Sequence, residues 1–186
     1  MYEVEMRFPI TSLSDFERML ESFGVILSSP VEEFDQFYQH PSRDFAQTDE
    51  GLRIRRRVFI DGSEEYFLTY KGPKIDLLTK TRKEVEVRLE VVEPWHNILK
   101  ALDFEPVAVV TKTRRRGHLT TNGRRFDILL DVLPDGRGTF AELETLAEEN
   151  DRDAARQALL DLAAKLDLTE SIRASYLEIL TPTFRR

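Results

Sequence analysis

The chain contains no cysteine. Disulfides, thiolate nucleophiles and zinc or iron–sulfur sites built on cysteine are therefore excluded. Histidine is scarce. His40, His96 and His118 share no metal-ligand spacing and read as surface or capping residues. No apolar run approaches the roughly 18–20 residues needed to cross a bilayer. The N-terminal stretch MYEVEMRFPI carries carboxylates where a secretory signal needs an apolar core. A cytoplasmic protein without a membrane partner is expected. The serines lack a nucleophile-elbow motif, and the glycine-containing PDGRG is not followed by GK[ST], so neither covalent acyl chemistry nor a P-loop is expected. An excess of positive charge is also missing. With 27 Lys and Arg against 34 Asp and Glu, the net charge of −7 argues against non-specific nucleic-acid binding.

What the chain does have is a globular balance of 41% hydrophobic and 33% charged residues over 186 positions. The spacing predicts one domain over 1–180 with a C-terminal tail at 181–186. Its basic residues are clustered: Arg53 with Arg55, Arg56 and Arg57, and Lys112 with Arg114, Arg115 and Arg116. Local arginine clusters in an acidic protein suit a small polyanion better than a long one.

Tyr2 to Phe8 alternates apolar Tyr2, Val4, Met6 and Phe8 with charged Glu3, Glu5 and Arg7, the period of a strand. Residues 14–23 read as a short amphipathic helix with Ser12 or Ser14 as cap and Gly24 as stop. Strand patterns follow at about 31–70, where Asp61-Gly62 signals a hairpin, and at about 80–92. Residues 94–103 read as a helix with Trp95, Ile98, Leu99 and Leu102 on one face. Two further strands flank Asn122-Gly123, and TFAELETL is a last one. Residues 151–180 read as helical. The expectation is a single α+β domain of about eight antiparallel strands.

The polar faces of these strands are rich in Arg and Glu rather than Thr, Ser and Gln. Residues at i and i+2 share a face, which groups Glu3, Glu5 and Arg7; Arg53 and Arg55; Arg82, Glu84 and Glu86; Lys112, Arg114 and Arg116; and Glu142 with Glu144. Lys71 and Asp127 or Asp131 join them. Antiparallel sheets routinely turn a polar face to solvent, but here acids open and close the series with basic strands between. If that face turns inward, it forms a tunnel whose charges must be paired or matched by a ligand. Polyphosphate fits: guanidinium groups take its oxygens and carboxylates hold bridging divalent cations. Phe37, Tyr38 and Tyr70 either stack on a nucleobase or belong to the sheet core.

The ordered segments EVEMR (3–7), LRIR (52–55), LTYKGP (68–73), TRKEVEV (81–87), TKTRRR (111–116), FDILLDV (126–132), GRGTFAELE (136–144) and SYLEIL (175–180) resemble the CYTH family, the triphosphate tunnel metalloenzymes. These include class IV adenylyl cyclases and thiamine triphosphatases. The resemblance implies an eight-stranded antiparallel tunnel with helices outside. It implies two Mg²⁺ or Mn²⁺ ions on Glu3, Glu5, Glu142 and Glu144, with Glu86 or Asp131 as further ligands. It also implies a triphosphate gripped by Arg7, Arg53, Arg55, Lys71, Arg82, Lys112, Arg114 and Arg116, with Glu84 alongside. Arg114 would stabilise charge on the leaving group. The closing segments resemble the cyclase branch, which makes cyclic AMP and pyrophosphate from ATP. A triphosphatase acting on tripolyphosphate, thiamine triphosphate or a nucleoside triphosphate is the alternative. A non-enzymatic RNA- or polyphosphate-binding module has no need of two ExE pairs. Family members are often homodimers, but no stripe in this sequence marks such an interface. Arg7 stands where the family usually has lysine, and a guanidinium is a poor proton acceptor. The PDGRG loop is also about one residue longer than is usual.

Overall fold

The computed structural model describes residues 1–76 and 78–180; the expected tail at 181–186 lies outside the described residues. In chain order the elements are β1 (Tyr2–Pro9), α1 (Leu13–Ser22), β2 (Val31–Gln39), α2 (Phe45–Thr48), β3 (Gly51–Val58), β4 (Glu64–Lys71), β5 (Arg82–Leu89), α3 (Glu93–Ala101), β6 (Glu105–Thr121), β7 (Arg124–Val132), β8 (Thr139–Ala147), α4 (Arg152–Lys165) and α5 (Tyr176–Leu180). The fold is α+β: the eight strands form one antiparallel sheet that closes in the order β1-β5-β4-β3-β2-β6-β7-β8.

The chain divides into two compact units. The first holds residues 1–30, 75–82 and 112–173. Its core uses the apolar half of the β1 alternation, Val4, Met6 and Phe8, with Phe126, Ile128 and Leu130 of β7 and Ala141 and Leu143 of β8. Phe16 and Leu20 of α1, and Ala155, Leu159 and Leu162 of α4, cover that apolar face. Burying each such leucine or phenylalanine contributes about 1.5–3 kcal/mol. Ser12 caps α1 by accepting from the Asp15 amide. Between β6 and β7, Asn122 (φ 51°) and Gly123 (φ 75°) both adopt the left-handed backbone of a tight hairpin. Gly117 has a different reason: a Cβ there would lie 2.6 Å from Val25 Cγ1, because the segment after α1 docks on β6 through Ser28 N–H to Arg116 O at 2.7 Å.

The second unit holds residues 31–74, 83–111 and 174 onward. Its described core is Tyr38, Phe45, Leu52, Ile54 and Leu99, with Leu68, Tyr70 and Trp95 packed against it. Tyr38 and Tyr70 thus belong to core packing. Of the four residues predicted on one face of α3, Leu99 is buried, whereas Ile98 and Leu102 are exposed.

The C-terminal third departs from a continuous helix. After Lys165 the chain turns through Asp167 (φ 52°), with Leu168 N–H donating to Ala163 O, and helix resumes only at Tyr176. Ile172 N–H donates to Arg7 O instead of to a helical carbonyl. Asp, Thr and β-branched Ile between 167 and 172 give that stretch little helix propensity of its own. Strand β5 begins at Arg82, two residues beyond the predicted start, because Thr79–Thr81 belong to a buried irregular segment.

Candidate functional site

In the first unit, register fixes which charges meet. Across the β1–β8 ladder Glu5 lies opposite Glu144 and Arg7 opposite Glu142. Across β6–β7, Arg114 lies opposite Asp131. Directly opposed residues share a face, so the polar half of the β1 alternation stands over the acids of β8. It is not a solvated face: Glu5, Arg7, Lys112, Arg114, Asp131 and Glu142 are all buried.

These groups divide into two kinds. Glu3, Glu5 and Glu144 each offer a carboxylate oxygen, all within 4.8 Å of one another. Burial pushes the Glu144 carboxyl well above its usual 4.5, and the neighbouring Glu3, Glu142 and Glu5 carboxylates push it further. Carboxylate oxygens at this spacing could hold a hard divalent cation.

One pair further along, the charges are matched. Arg7 Nε donates to Glu142 Oε1 at 2.6 Å, and Arg7 Nη2 reaches the same oxygen. Arg114 Nε donates to Asp131 Oδ1 at 2.5 Å, its Nη2 to Asp131 Oδ2 and also to Glu142 Oε2. Burial raises the Glu142 carboxyl, but Arg7, Arg114, Lys80 and Lys112 hold it well below 4.5. Both oxygens of Glu142 serve cations. Among the described residues, Glu142 and Asp131 therefore stand apart from the three-carboxylate group, in an ion-pair network. Arg116, half-buried on β6, uses its backbone to hold Ser28.

Lys80 was not selected in the sequence reading. Its side chain is 2% exposed; Nζ is hydrogen-bonded to Glu5 Oε1 and lies 3.9 Å from Glu142 Oε1. Burial, then the Arg7 guanidinium, lower its pKa to about 8, against the opposing pull of Glu5 and Glu142. The signal was present: Lys80 precedes Arg82 by two residues and continues the 82, 84, 86 alternation.

The second unit carries its own charges. Arg55 forms a bidentate pair with Asp35, Nε to Oδ1 at 2.6 Å and Nη2 to Oδ2 at 2.7 Å, and its Nη1 lies 3.2 Å from Glu33 Oε2. Arg53 reaches Asp35 at 3.4 Å, with a buried Nε lacking a hydrogen-bond partner. Lys71 pairs with Glu84 at 2.5 Å, and Glu86, exposed, accepts from Thr69 Oγ1 at 2.8 Å. Glu33 and Asp35 were also missed, although they alternate on β2 opposite Arg57 and Arg55. Arg82, which starts β5 and belongs to the first unit, has a buried Nε without a hydrogen-bond partner.

A model of the CYTH domain matches residues 1–176. The chain belongs to the CYTH family. A Methanocaldococcus jannaschii protein named "Putative adenylate cyclase" is 32% identical over 182 residues, covering 96% of this chain and 98% of its own. A Pyrococcus horikoshii protein of solved structure is 36% identical with a TM-score of 0.85, covering 97% of this chain and 99% of that one. A Vibrio parahaemolyticus structure, named as a putative adenylate cyclase, is 25% identical with a TM-score of 0.80 over 97% and 98%. The closed antiparallel sheet observed here is the one that the family resemblance implies. No helix among the described residues is long and apolar enough to cross a membrane.

Proposed function

We propose that this CYTH protein is a metal-dependent enzyme acting on a triphosphate, and that its reaction is that of a class IV adenylyl cyclase. The observation that carries the reading is the close group of carboxylates Glu3, Glu5 and Glu144 beside the buried cations Arg7, Lys112 and Arg114. Membership of the family and the adenylate cyclase names of its relatives support the choice of substrate.

Glu3, Glu5 and Glu144 would hold a divalent ion, Mg²⁺ or Mn²⁺, which supplies charge neutralisation and alignment for phosphoryl chemistry when bound. This donor set serves one ion; a second would take its ligands largely from phosphate oxygens. Lys112, Arg114 and Arg116 lie in sequence along β6 and would bind phosphate oxygens, Arg114 bearing charge that builds on the leaving group. Arg82 and Arg53, each with an orphaned Nε–H, have donors to spare for a phosphate. Arg55 and Lys71 would first have to share or exchange their carboxylate partners. Arg7 is committed to Glu142 and stays protonated, so it binds rather than accepts a proton. Attack by the ribose 3′-hydroxyl on the α-phosphorus yields cyclic AMP and pyrophosphate. Attack by water on the terminal phosphorus makes the protein a triphosphatase.

Product analysis tests this. Purified chain with Mg²⁺ or Mn²⁺ is given ATP, inorganic tripolyphosphate or thiamine triphosphate, and products are separated by chromatography. Cyclic AMP with stoichiometric pyrophosphate is expected from ATP. Orthophosphate without cyclic AMP replaces the cyclase reading with a triphosphatase, and no turnover of any of the three sinks both.

A further inference from the structure

The segment between β4 and β5 is built to deliver one side chain. Asp76 Oδ1 accepts from the Leu78 and Thr79 amides at 2.6 and 2.9 Å, while Oδ2 takes Arg156 Nη1 of α4 at 2.7 Å. Arg173 Nη2 donates to Asp76 O at 2.9 Å. Ile75 N–H donates to Thr81 O, closing the base of the turn, and the Thr79 and Thr81 hydroxyls share a hydrogen bond at 2.6 Å. Thr79, Lys80 and Thr81 are all 3% exposed or less. At the apex, Lys80 binds Glu5 twice. Its amide donates to Glu5 O at 2.9 Å and its ammonium to Glu5 Oε1. The other charged groups facing that ammonium are Glu142 and Arg7, and Glu142 is already engaged by two guanidinium groups. Lys80 is therefore directed at the one carboxylate that belongs to both the acidic group and the cation network.

We propose that Lys80 is an internal counter-ion that occupies Glu5 when no divalent cation is bound and competes with that cation for the carboxylate. The inference rests on Glu5 being a ligand in the metal site described above. Its physical basis is simple. Three close carboxylates repel one another, and an anchored ammonium on one of them keeps the empty group folded. The same fixed positive charge repels an arriving dication at short range in a poorly screened interior. Lys80 thus stabilises the metal-free state and weakens metal binding. A ligand-orienting residue would do the reverse, strengthening metal binding.

The test is Mn²⁺ binding by the full chain without substrate, followed through the paramagnetic resonance of free Mn²⁺ at fixed pH and ionic strength. Lys80→Met and Lys80→Gln should each bind Mn²⁺ at least about tenfold more tightly than the unaltered chain. Both should melt earlier without metal and gain more in Tm on adding Mg²⁺ than the unaltered chain does. If Lys80→Met folds only with metal, Mg²⁺-dependent folding is the same result in stronger form. Equal or weaker Mn²⁺ binding by both variants overturns the counter-ion role while leaving the metal site standing. Should the unaltered chain bind no Mn²⁺, or Glu144→Gln bind it as tightly as the unaltered chain, the metal site itself fails and the inference with it.

Discussion

Two neighbouring cross-strand pairs on the same β1–β8 ladder show opposite electrostatics. Glu5 faces Glu144, acid against acid; two residues on, Arg7 faces Glu142, base against acid. The backbone environment is the same antiparallel ladder and both pairs are turned to the same side. At the first pair, burial and then the neighbouring carboxylates push the Glu144 carboxyl up. At the second, four cations around Glu142 hold its carboxyl down. Three carboxylates within 4.8 Å of one another repel, which costs stability unless a cation is near. On the proposed reading the mismatched pair takes an external cation, and the matched pair beside it supplies a charge-balanced frame.

The largest expected effect breaks the mismatched side. Glu144→Gln removes one ligand and one repulsive charge together. Mn²⁺ binding should weaken at least about a hundredfold, more than the usual loss on altering an outer-shell partner, and metal-dependent turnover should fall with it. The metal-free chain should melt no lower than the unaltered one. A clear loss of metal-free stability would mean that Glu144 is a structural carboxylate.

Breaking the matched side should do the opposite. Arg114→Met leaves Asp131, which is fully buried, without its bidentate partner. Denaturant unfolding should show a loss of about 3–5 kcal/mol, the cost of stranding a buried charge, and Mg²⁺ should not restore it. A loss below about 1 kcal/mol would show that water or Lys112 takes over the pairing.

The two acids of the ExE pair on β8 should also respond to pH with opposite signs. Glu144 has a raised folded-state pKa. Its contribution to stability is present below the unfolded value near 4.5 and is lost as pH rises through the raised value. Glu142 has a lowered folded-state pKa, so its contribution is present above 4.5 and is lost as pH falls through the lowered value. Metal-free melting temperatures from mild acid to neutrality should flatten in Glu144→Gln, and the acid limb below 4.5 should flatten in Glu142→Gln. Identical profiles for the two variants would remove the distinction.

Much of this was legible in the chain. Strict alternation at 2–8 marked both faces of β1, Asn122-Gly123 marked the β6–β7 hairpin, and the Arg and Glu content of the polar faces set them apart from a solvated sheet. Glu3, Glu5 and Glu144 were selected, and the structure brings them together. The grouping of Glu142 and Asp131 with arginines was not legible, because alternation tells which face a residue is on but not which neighbour it meets. That needs register. Lys80 was passed over although it continues the 82, 84, 86 alternation; its side chain comes to Glu5 by way of the Asp76 turn rather than a regular strand, which alternation does not reveal. Glu33 and Asp35 were passed over because EEFDQF reads as an ordinary exposed strand until Arg55 and Arg57 are set opposite it. The helix predicted over 151–180 was lengthened past its stop because Asp167 supplies the left-handed residue usually given by glycine.

The smallest and most discriminating change is Arg7→Lys, which installs the residue that the family resemblance leads one to expect there. Arg7 grips Glu142 with two nitrogens and sits 3.6 Å from Glu5 Oε1 through Nη2. An ammonium can keep the charge but not the fork, so Glu142 would retain Arg114 as its only guanidinium partner. The expected stability loss is about 1 kcal/mol, the scale of one charge-assisted hydrogen bond, and Mn²⁺ binding should change less than threefold because the Glu3, Glu5 and Glu144 donors are untouched. If Arg7→Lys instead raised turnover more than tenfold at unchanged Mn²⁺ affinity, the matched pair would be more than a frame. Its cation would then take part in the chemistry, and arginine at position 7 would be limiting the rate.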